Sequence, residues 1–124
     1  MKAVLVAIVD DDPGLCSSLV DLMRSAGYRA EAFLSAELFL AASAAHGFDR
    51  VILDIRMPGM NGLDLLRRLQ AQGTMPPVVV ITALRDEGLN ELAIDAGARC
   101  LLRKPFDSEA LLDSLDSDPA EGSA

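Results

Sequence analysis

The sequence of 124 residues is short of the side chains on which several kinds of catalytic and structural site depend. It has no tryptophan and one histidine, His46, so nucleophilic chemistry of the Cys-His or Ser-His-Asp kind has little to work with. We expect His46, which precedes Gly47, to lie at a helix end in a capping or solvent-facing position. The two cysteines, Cys16 and Cys100, lie outside any C-x-x-C pair, which favours buried reduced thiols over a disulfide or a metal site.

An excess of basic charge and a long hydrophobic run are also missing. Acidic residues outnumber basic residues by 19 to 11, and the formal net charge of −8 argues against binding to nucleic acid, which needs clustered Lys and Arg. No window reaches the ~18 uninterrupted apolar residues of a membrane span. The apolar run behind Met1-Lys2 ends in aspartates and lacks a small-residue cleavage site, so it does not fit a signal peptide. We therefore expect a cytoplasmic protein without direct nucleic acid or membrane contacts.

The residues that are present suit one α/β domain. Hydrophobic residues make up 51% of the chain and aromatic residues only 4%, which predicts an interior of Ala, Val and Leu. The length is near the common domain size and allows a proper core, and we assign residues 1–116 to this domain. Residues 117–124 are small and acidic and include Pro and Gly, which predicts a disordered tail or the start of a linker.

Short apolar runs alternate with helical patterns along the chain. Buried strands are predicted at residues 4–9, 51–54, 78–81 and 100–103, and a less apolar strand, expected at a sheet edge, at 29–33. Because each run is followed by a helical pattern, the sequence predicts five β-α units. Such a succession is typical of a doubly wound α/β fold with a parallel sheet.

The helical patterns differ in strength. In the second helix, which Ser35 is expected to cap, the spacing predicts that Leu38, Phe39 and Ala42 face inward. The fourth helix, predicted at about residues 86–96, has a weaker pattern. Both helices are nevertheless expected to pack on the sheet.

Carboxylates stand where two of the apolar runs end. Asp10 and Asp11 follow the first run and Asp54 ends the third, and in open α/β sheets ligands bind at the carboxyl ends of the strands. Taken alone, Asp54 is explained equally well as a turn cap, and Asp12, followed by Pro13, as the N-cap of a helix. If the two strands are neighbours, Asp10, Asp11 and Asp54 share one pocket. Like charges disfavour ionisation there unless a cation lies among them, and the oxygen ligands suit magnesium.

Two further strand ends carry polar side chains. Thr82 follows the fourth run, and Lys104 follows the fifth and precedes Pro105-Phe106. Each is an ordinary loop residue by itself. Together with Asp10-Asp11 and with Asp54 in Leu-Asp-Ile-Arg-Met-Pro-Gly-Met-Asn-Gly, they resemble the receiver domain of two-component response regulators, and the resemblance covers nearly the whole chain.

The resemblance implies a five-stranded parallel sheet in the order 2-1-3-4-5, with the first and third strands as neighbours. It implies that Asp54 accepts a phosphoryl group from a sensor histidine kinase or a histidine phosphotransfer protein. It also implies a Mg²⁺ ion bound directly by Asp11, through water by Asp10, and by Asp54 and the backbone carbonyl of Arg56.

The resemblance further implies how the signal leaves the site. Lys104 would pair with a phosphoryl oxygen, and Thr82 would donate a hydrogen bond to it after shifting inward. Family members commonly have Tyr or Phe three residues before the Lys, as a gate coupled to the Thr, and here that position is Leu101. We therefore expect weak coupling to a homodimer interface, which in the family is formed by the fourth helix, the fifth strand and the last helix.

Functions of other classes fit the residues less well. An aspartate-nucleophile phosphatase needs a second Asp two residues after the nucleophile, where this chain has Arg56. A flavodoxin-like FMN carrier needs a Ser/Thr/Gly-rich loop after the first strand, where the aspartates would repel the phosphate. A degenerate receiver would lack an Asp or the Lys, and neither is missing. We expect a signalling phosphoacceptor, and not an enzyme beyond its own phosphorylation and dephosphorylation.

Overall fold

The computed structural model describes residues 4–43, 47–73 and 75–116, so the expectations for His46 and for residues 117–124 lie outside the described residues. Within these ranges strands and helices alternate strictly, as the sequence predicts. The elements are β1 (Leu5–Val9), α1 (Pro13–Ser25), β2 (Arg29–Phe33), α2 (Ala36–Ser43), β3 (Arg50–Asp54), α3 (Gly62–Gln72), β4 (Val78–Thr82), α4 (Leu89–Asp95), β5 (Cys100–Arg103) and α5 (Ser108–Asp116). No helix of the described residues is long and apolar enough to cross a membrane.

The strands form one parallel sheet in the order β2-β1-β3-β4-β5, which confirms the predicted fold. β2 lies at an edge, as its weaker apolar pattern indicates. β1 and β3 are neighbours at the centre of the sheet, and their register brings Val9 opposite Leu53. The residues that follow these two positions, Asp10 and Asp54, therefore leave the sheet side by side.

The central strands are apolar throughout because helices cover both faces of the sheet. Along β1, Val6 and Ile8 pack in one core with residues of α1 and α5, whereas Ala7 and Val9 pack in the other with residues of α2, α3 and α4. Successive side chains of a strand point to opposite faces, so a run of consecutive apolar residues supplies both cores. All five residues of β1 are buried, and so are all five of β4.

Two helices depart in detail from the predictions. Leu38 is 56% exposed, so the prediction that it faces inward is wrong. The buried stripe of α2 contains Ala36 and Phe39, and Leu38 lies about 100° from Phe39 around the helix. α4 is shorter than predicted and begins at Leu89, because Gly88 in front of it has a φ of 86°, a left-handed conformation outside the helix.

The carboxyl end of α5 is bonded to residues at the amino ends of the strands, away from the aspartates. Arg50, at the start of β3, donates from Nε to the carbonyl oxygen of Leu115 at 3.1 Å, and Arg99 donates from Nη1 to that of Ser114 at 3.2 Å. The Tyr28 hydroxyl bonds to the carboxylate of Asp116. Basic side chains satisfy the last carbonyls of a helix and complement its dipole. The domain is therefore held together up to Asp116.

We predict that Arg50→Met lowers the free energy of unfolding by about 1–3 kcal/mol, because it removes a charged donor from a helix end and retains the apolar stem. The matched control is Arg67→Met on α3. Arg67 is 58% exposed, and its ion pair with Asp64 is long, at 3.7 Å, so its loss should change stability by less than about 0.5 kcal/mol. Urea unfolding measures both values. Equal effects of the two substitutions would contradict the proposed fastening of α5.

Candidate functional site at the carboxyl edge of the sheet

The structure brings together the carboxylates that the sequence singles out. Asp10 follows β1, Asp11 comes next, and Asp54 is the last residue of β3. Three carboxylate oxygens, one from each of these residues, lie within 4.8 Å of one another. Asp10 is fully buried and Asp54 is 5% exposed, whereas Asp11 is exposed. Two buried carboxylates thus lie beneath one that faces solvent.

The first loop is fixed by hydrogen bonds of its own aspartates. The Asp12 side chain accepts from the N–H groups of Gly14 and Leu15 and caps α1, with Pro13 as the first helical residue, as predicted. Asp10 Oδ1 accepts from the Asp12 N–H at 3.0 Å. The tight turn that results leaves the Asp11 side chain outside this network and beside the pocket.

Cys16 lies under this loop, and its thiol donates to the Asp10 carbonyl oxygen at 3.2 Å. Burial, followed by the nearby carboxylates of Asp10 and Asp12, raises the pKa of the thiol to about 11. Cys16 is buried and Cys100 is half-buried, and neither forms a disulfide. Both thiols pack with the core formed between the sheet, α1 and α5.

The turn after Asp54 depends on a glycine at position 62. A Cβ atom there would lie 2.4 Å from the Asp54 carbonyl oxygen and 2.8 Å from the Ile55 Cα. The Gly62 N–H donates to the Ile55 carbonyl oxygen at 2.8 Å, and Asn61 caps α3 by accepting from the Asp64 N–H at 2.9 Å. The start of α3 therefore packs directly on the backbone that presents Asp54.

Lys104 is the cation of the site. Its Nζ lies 3.1 Å from Asp10 Oδ2 and 3.6 Å from Asp54 Oδ2. Its backbone N–H donates to the Thr82 carbonyl oxygen at 2.7 Å, which ties the end of β5 to the end of β4, and its peptide bond to Pro105 is cis. One ammonium thus serves two buried carboxylates.

The charge of this cluster is incompletely balanced. The pKa of the Asp54 carboxyl is raised to about 6, first by burial and next by the Asp10 carboxylate, against the lowering effects of Lys104 and the Arg56 N–H. Negative charge at Asp54 is therefore disfavoured unless more positive charge arrives. An open pocket of about 320 Å³ lies above the carboxylates and gives access to them.

The donor set fits magnesium. Mg²⁺ prefers hard oxygen ligands, keeps several waters and binds through a few carboxylates, and the open pocket leaves space for those waters. Arg56 lines the same pocket, and its backbone N–H donates to Asp54 Oδ1 at a long 3.4 Å. The predicted metal ligands therefore lie around one space, and the excess negative charge would be relieved by a cation.

Thr82 lies at the same edge but is fully buried. The pocket is lined by Ala83 and Leu84, which follow β4, and not by Thr82 itself. The Thr82 hydroxyl accepts from the Leu84 N–H at 3.0 Å, which leaves its own hydrogen available to an acceptor. Leu101 is half-buried and stands opposite Val80 in the sheet.

Sequence reasoning missed the side chains that hold the loops around the pocket. Glu37 of α2 accepts from the Met60 N–H at 3.2 Å and so supports the turn after Asp54. Arg103 donates to backbone carbonyls of the loop between β4 and α4. No sequence signal could have found these contacts, because a charged residue on a helix or at a strand end usually faces solvent.

Comparison with known proteins identifies similar sequences. A family model described as the response regulator receiver domain matches residues 6–116. The transcriptional regulatory protein FixJ of Bradyrhizobium diazoefficiens is 36% identical over 112 residues, which are 90% of this chain and 55% of that protein. The response regulator protein TodT of Pseudomonas putida is 38% identical over 114 residues, which are 92% of this chain and 50% of that protein. The chain thus spans about half the length of these relatives.

Solved structures show the same fold. The crystal structure of FixJ-N has a TM-score of 0.85 at 32% identity and covers 94% of this chain and 93% of that chain. The chemotaxis protein CheY4 of Vibrio cholerae has a TM-score of 0.83 at 28% identity and covers 92% of this chain and 97% of that chain. The similarity therefore extends over nearly the whole of both molecules.

We predict that Asp54→Asn raises the free energy of unfolding in the presence of a chelator at neutral pH, by about 1–3 kcal/mol. The substitution keeps the shape of the side chain and removes a charge that burial and Asp10 disfavour. Asp21→Asn makes the same chemical change on the exposed side of α1 and should have little effect. Chemical unfolding measures both, and a loss of stability in Asp54→Asn would contradict the charge imbalance.

Proposed function

Because this chain belongs to the family of response regulator receiver domains, we propose that it accepts a phosphoryl group on Asp54 from a histidine kinase or a histidine phosphotransfer protein. The observation that carries the proposal is the position of Asp54 at the end of a central strand, with Asp10, Asp11 and Lys104 around it and an open pocket above. An acceptor needs such access, because the donor must approach the carboxylate in line.

In the proposed reaction an Asp54 carboxylate oxygen forms a bond to phosphorus while the P–N bond of the phosphohistidine breaks. The electron pair of that bond leaves with the imidazole nitrogen, and the phosphoryl group remains as a mixed anhydride. Arg56 orients the acceptor through its backbone N–H, 3.4 Å from Asp54 Oδ1. Phosphoryl transfer depends mostly on such positioning and on charge neutralisation.

Lys104 supplies the permanent positive charge. Its Nζ already lies 3.6 Å from Asp54 Oδ2, so a phosphoryl oxygen on Asp54 would come within its reach. Asp10, at 3.1 Å from the same ammonium, keeps it at the site before transfer. Thr82 would donate its free hydroxyl hydrogen to the phosphoryl group after moving inward from its bond with Leu84. Together these two side chains would report the modification to the β4 and β5 loops.

Asp10, Asp11, Asp54 and the backbone carbonyl of Arg56 would hold Mg²⁺. The bound ion supplies positive charge that offsets the anionic phosphoryl group and the anionic acceptor. Of these residues, Asp11 is the exposed carboxylate and hence the one most readily reached from solvent. Asp10 is partly engaged by Lys104 and by the Asp12 N–H, which suits a role through water.

The domain would act as a signalling module in a cytoplasmic two-component system, and not as an enzyme on other molecules. We propose that it comprises residues 1–116 and that 117–124 are a tail or the start of a linker. The hydrogen bonds that hold the carboxyl end of α5 up to Asp116 support this boundary. Neither nucleic acid nor membrane contacts are assigned to this domain.

Output would pass through the face formed by α4, β5 and α5, by homodimerisation or by contact with an output domain. Leu92 on α4 is 48% exposed and offers apolar surface for such a contact. Leu101 contributes an aliphatic side chain where family members commonly have an aromatic one. The coupling of Thr82 to this face would then be weak, below the ~1–3 kcal/mol typical of allosteric coupling.

We predict that acetyl phosphate with magnesium adds one phosphoryl group to the native protein, as measured by intact mass. Asp54→Asn should remove the modification, because the amide is a poor nucleophile. Asp21→Asn, which changes an exposed carboxylate on α1, should be modified like the native protein. Full modification of Asp54→Asn would place the acceptor at another residue and overturn the assignment.

A further inference from the structure

Arg103 is a half-buried charged side chain that the proposed phosphoryl transfer does not use. It is the last residue of β5 and directly precedes Lys104. Its guanidinium reaches across to the loop between β4 and α4, where Nη1 donates to the Leu84 carbonyl oxygen and Nη2 donates to the Asp86 carbonyl oxygen at 3.2 Å. The planar guanidinium can donate to both carbonyls at once, which a lysine ammonium does less well.

Arg85 makes the reciprocal contact. Its Nη2 donates to the Lys104 carbonyl oxygen at 3.4 Å, so the loop after β4 also reaches back to the end of β5. The Lys104 N–H adds a bond to the Thr82 carbonyl oxygen at 2.7 Å. The loop that follows Thr82 and the loop that contains Lys104 are therefore joined by both arginines and by the backbone.

Leu84 connects Arg103 to Thr82. Its N–H donates to the Thr82 hydroxyl at 3.0 Å, and its carbonyl oxygen accepts from Arg103. Both polar groups of one backbone residue are thus engaged, one by each partner. An inward movement of the Thr82 hydroxyl must break or carry along the Leu84 N–H, and any shift of Leu84 disturbs the bond to Arg103.

Arg103 lies on the face of β5 that is directed toward α4. Residues two apart in a strand share a face, so Arg103 shares the face of Leu101. Leu101 packs against the core that contains Leu89 and Ala93 of α4, whereas Leu102 packs against the opposite core. Arg103 therefore lies on the side of the sheet where α4 begins. Its guanidinium bonds to the loop before α4, next to the apolar contact between Leu101 and that core.

We infer that Arg103 is a positioning residue that restrains Thr82 through the loop of residues 83–88 and so opposes the change that follows phosphorylation. This inference rests on the proposed function, because it assigns a regulator to the same site. Breaking the two bonds should make the loop easier to move. The modified state should then be reached at a lower concentration of a phosphoryl mimic.

The test compares native protein, Arg103→Met and Arg103→Lys in titrations with beryllofluoride and magnesium, followed by backbone amide NMR signals. Arg103→Met retains an apolar stem without donors and should lower the concentration for half-saturation by roughly 3–10-fold, as expected for the loss of a net hydrogen bond or two. Arg103→Lys has one compact ammonium, which donates to two separate carbonyls less well, so its half-saturation concentration should lie between those of Arg103→Met and the native protein. Arg68→Met, on the exposed side of α3, removes the same charge and should match the native protein.

Hydrogen exchange of the same samples without beryllofluoride measures the restraint directly. Amides of residues 84–88 should exchange faster in Arg103→Met than in the native protein, while those of β1 should not change. Faster exchange with an unchanged or higher half-saturation concentration would overturn the inference, and so would unchanged exchange. If the native protein failed to bind beryllofluoride, the proposed function would be contradicted instead, and the exchange data would still show whether Arg103 holds the loop.

Discussion

The crowding of carboxylates around a single lysine sets the chemistry of the site. Asp10 and Asp54 are buried side by side, and Lys104 lies 3.1 Å and 3.6 Å from them. The pKa of Asp54 is raised by burial and by Asp10 in spite of that lysine, so the site favours the arrival of positive charge. If the positive charge of the site's own residues neutralised its carboxylates, a bound cation would add little stability, and Lys104 would be less available to a phosphoryl oxygen.

The parallel sheet makes this crowding possible. The register of β1 with β3 and of β3 with β4 brings the ends of distant chain segments to one edge, and the apolar strands behind them keep the carboxylates in place. Close packing of α3 at Gly62 fixes the backbone of Asp54. The opposite edge anchors α5 through Arg50 and Tyr28. The carboxylates and the contacts that hold α5 thus lie at opposite ends of the strands.

Much of the fold and the composition of the site could be predicted, because apolar runs mark buried strands and the residue at each strand end is fixed by the same pattern. Asp10 and Asp54 meet because β1 and β3 are neighbours, a strand order that the resemblance to receiver domains implied and that the apolar runs alone left open. The exposure of Leu38 could not be predicted, since Phe39 and Leu40, which follow it along α2, are equally apolar. Nor could the contacts of Glu37 and Arg103, whose partners are backbone groups of other loops and carry no sequence signal.

Whether the three carboxylates form a cation site can be measured by thermal unfolding in a magnesium titration. Magnesium at millimolar concentration should raise the melting temperature of the native protein, because a ligand that binds the folded state stabilises it. Asp11→Asn should lose this increase. Asp12→Asn removes the neighbouring charge but retains an N-cap side chain, and it should keep most of the increase. An unchanged melting temperature of the native protein, or an equal increase in Asp11→Asn, would show that the carboxylates do not form such a site.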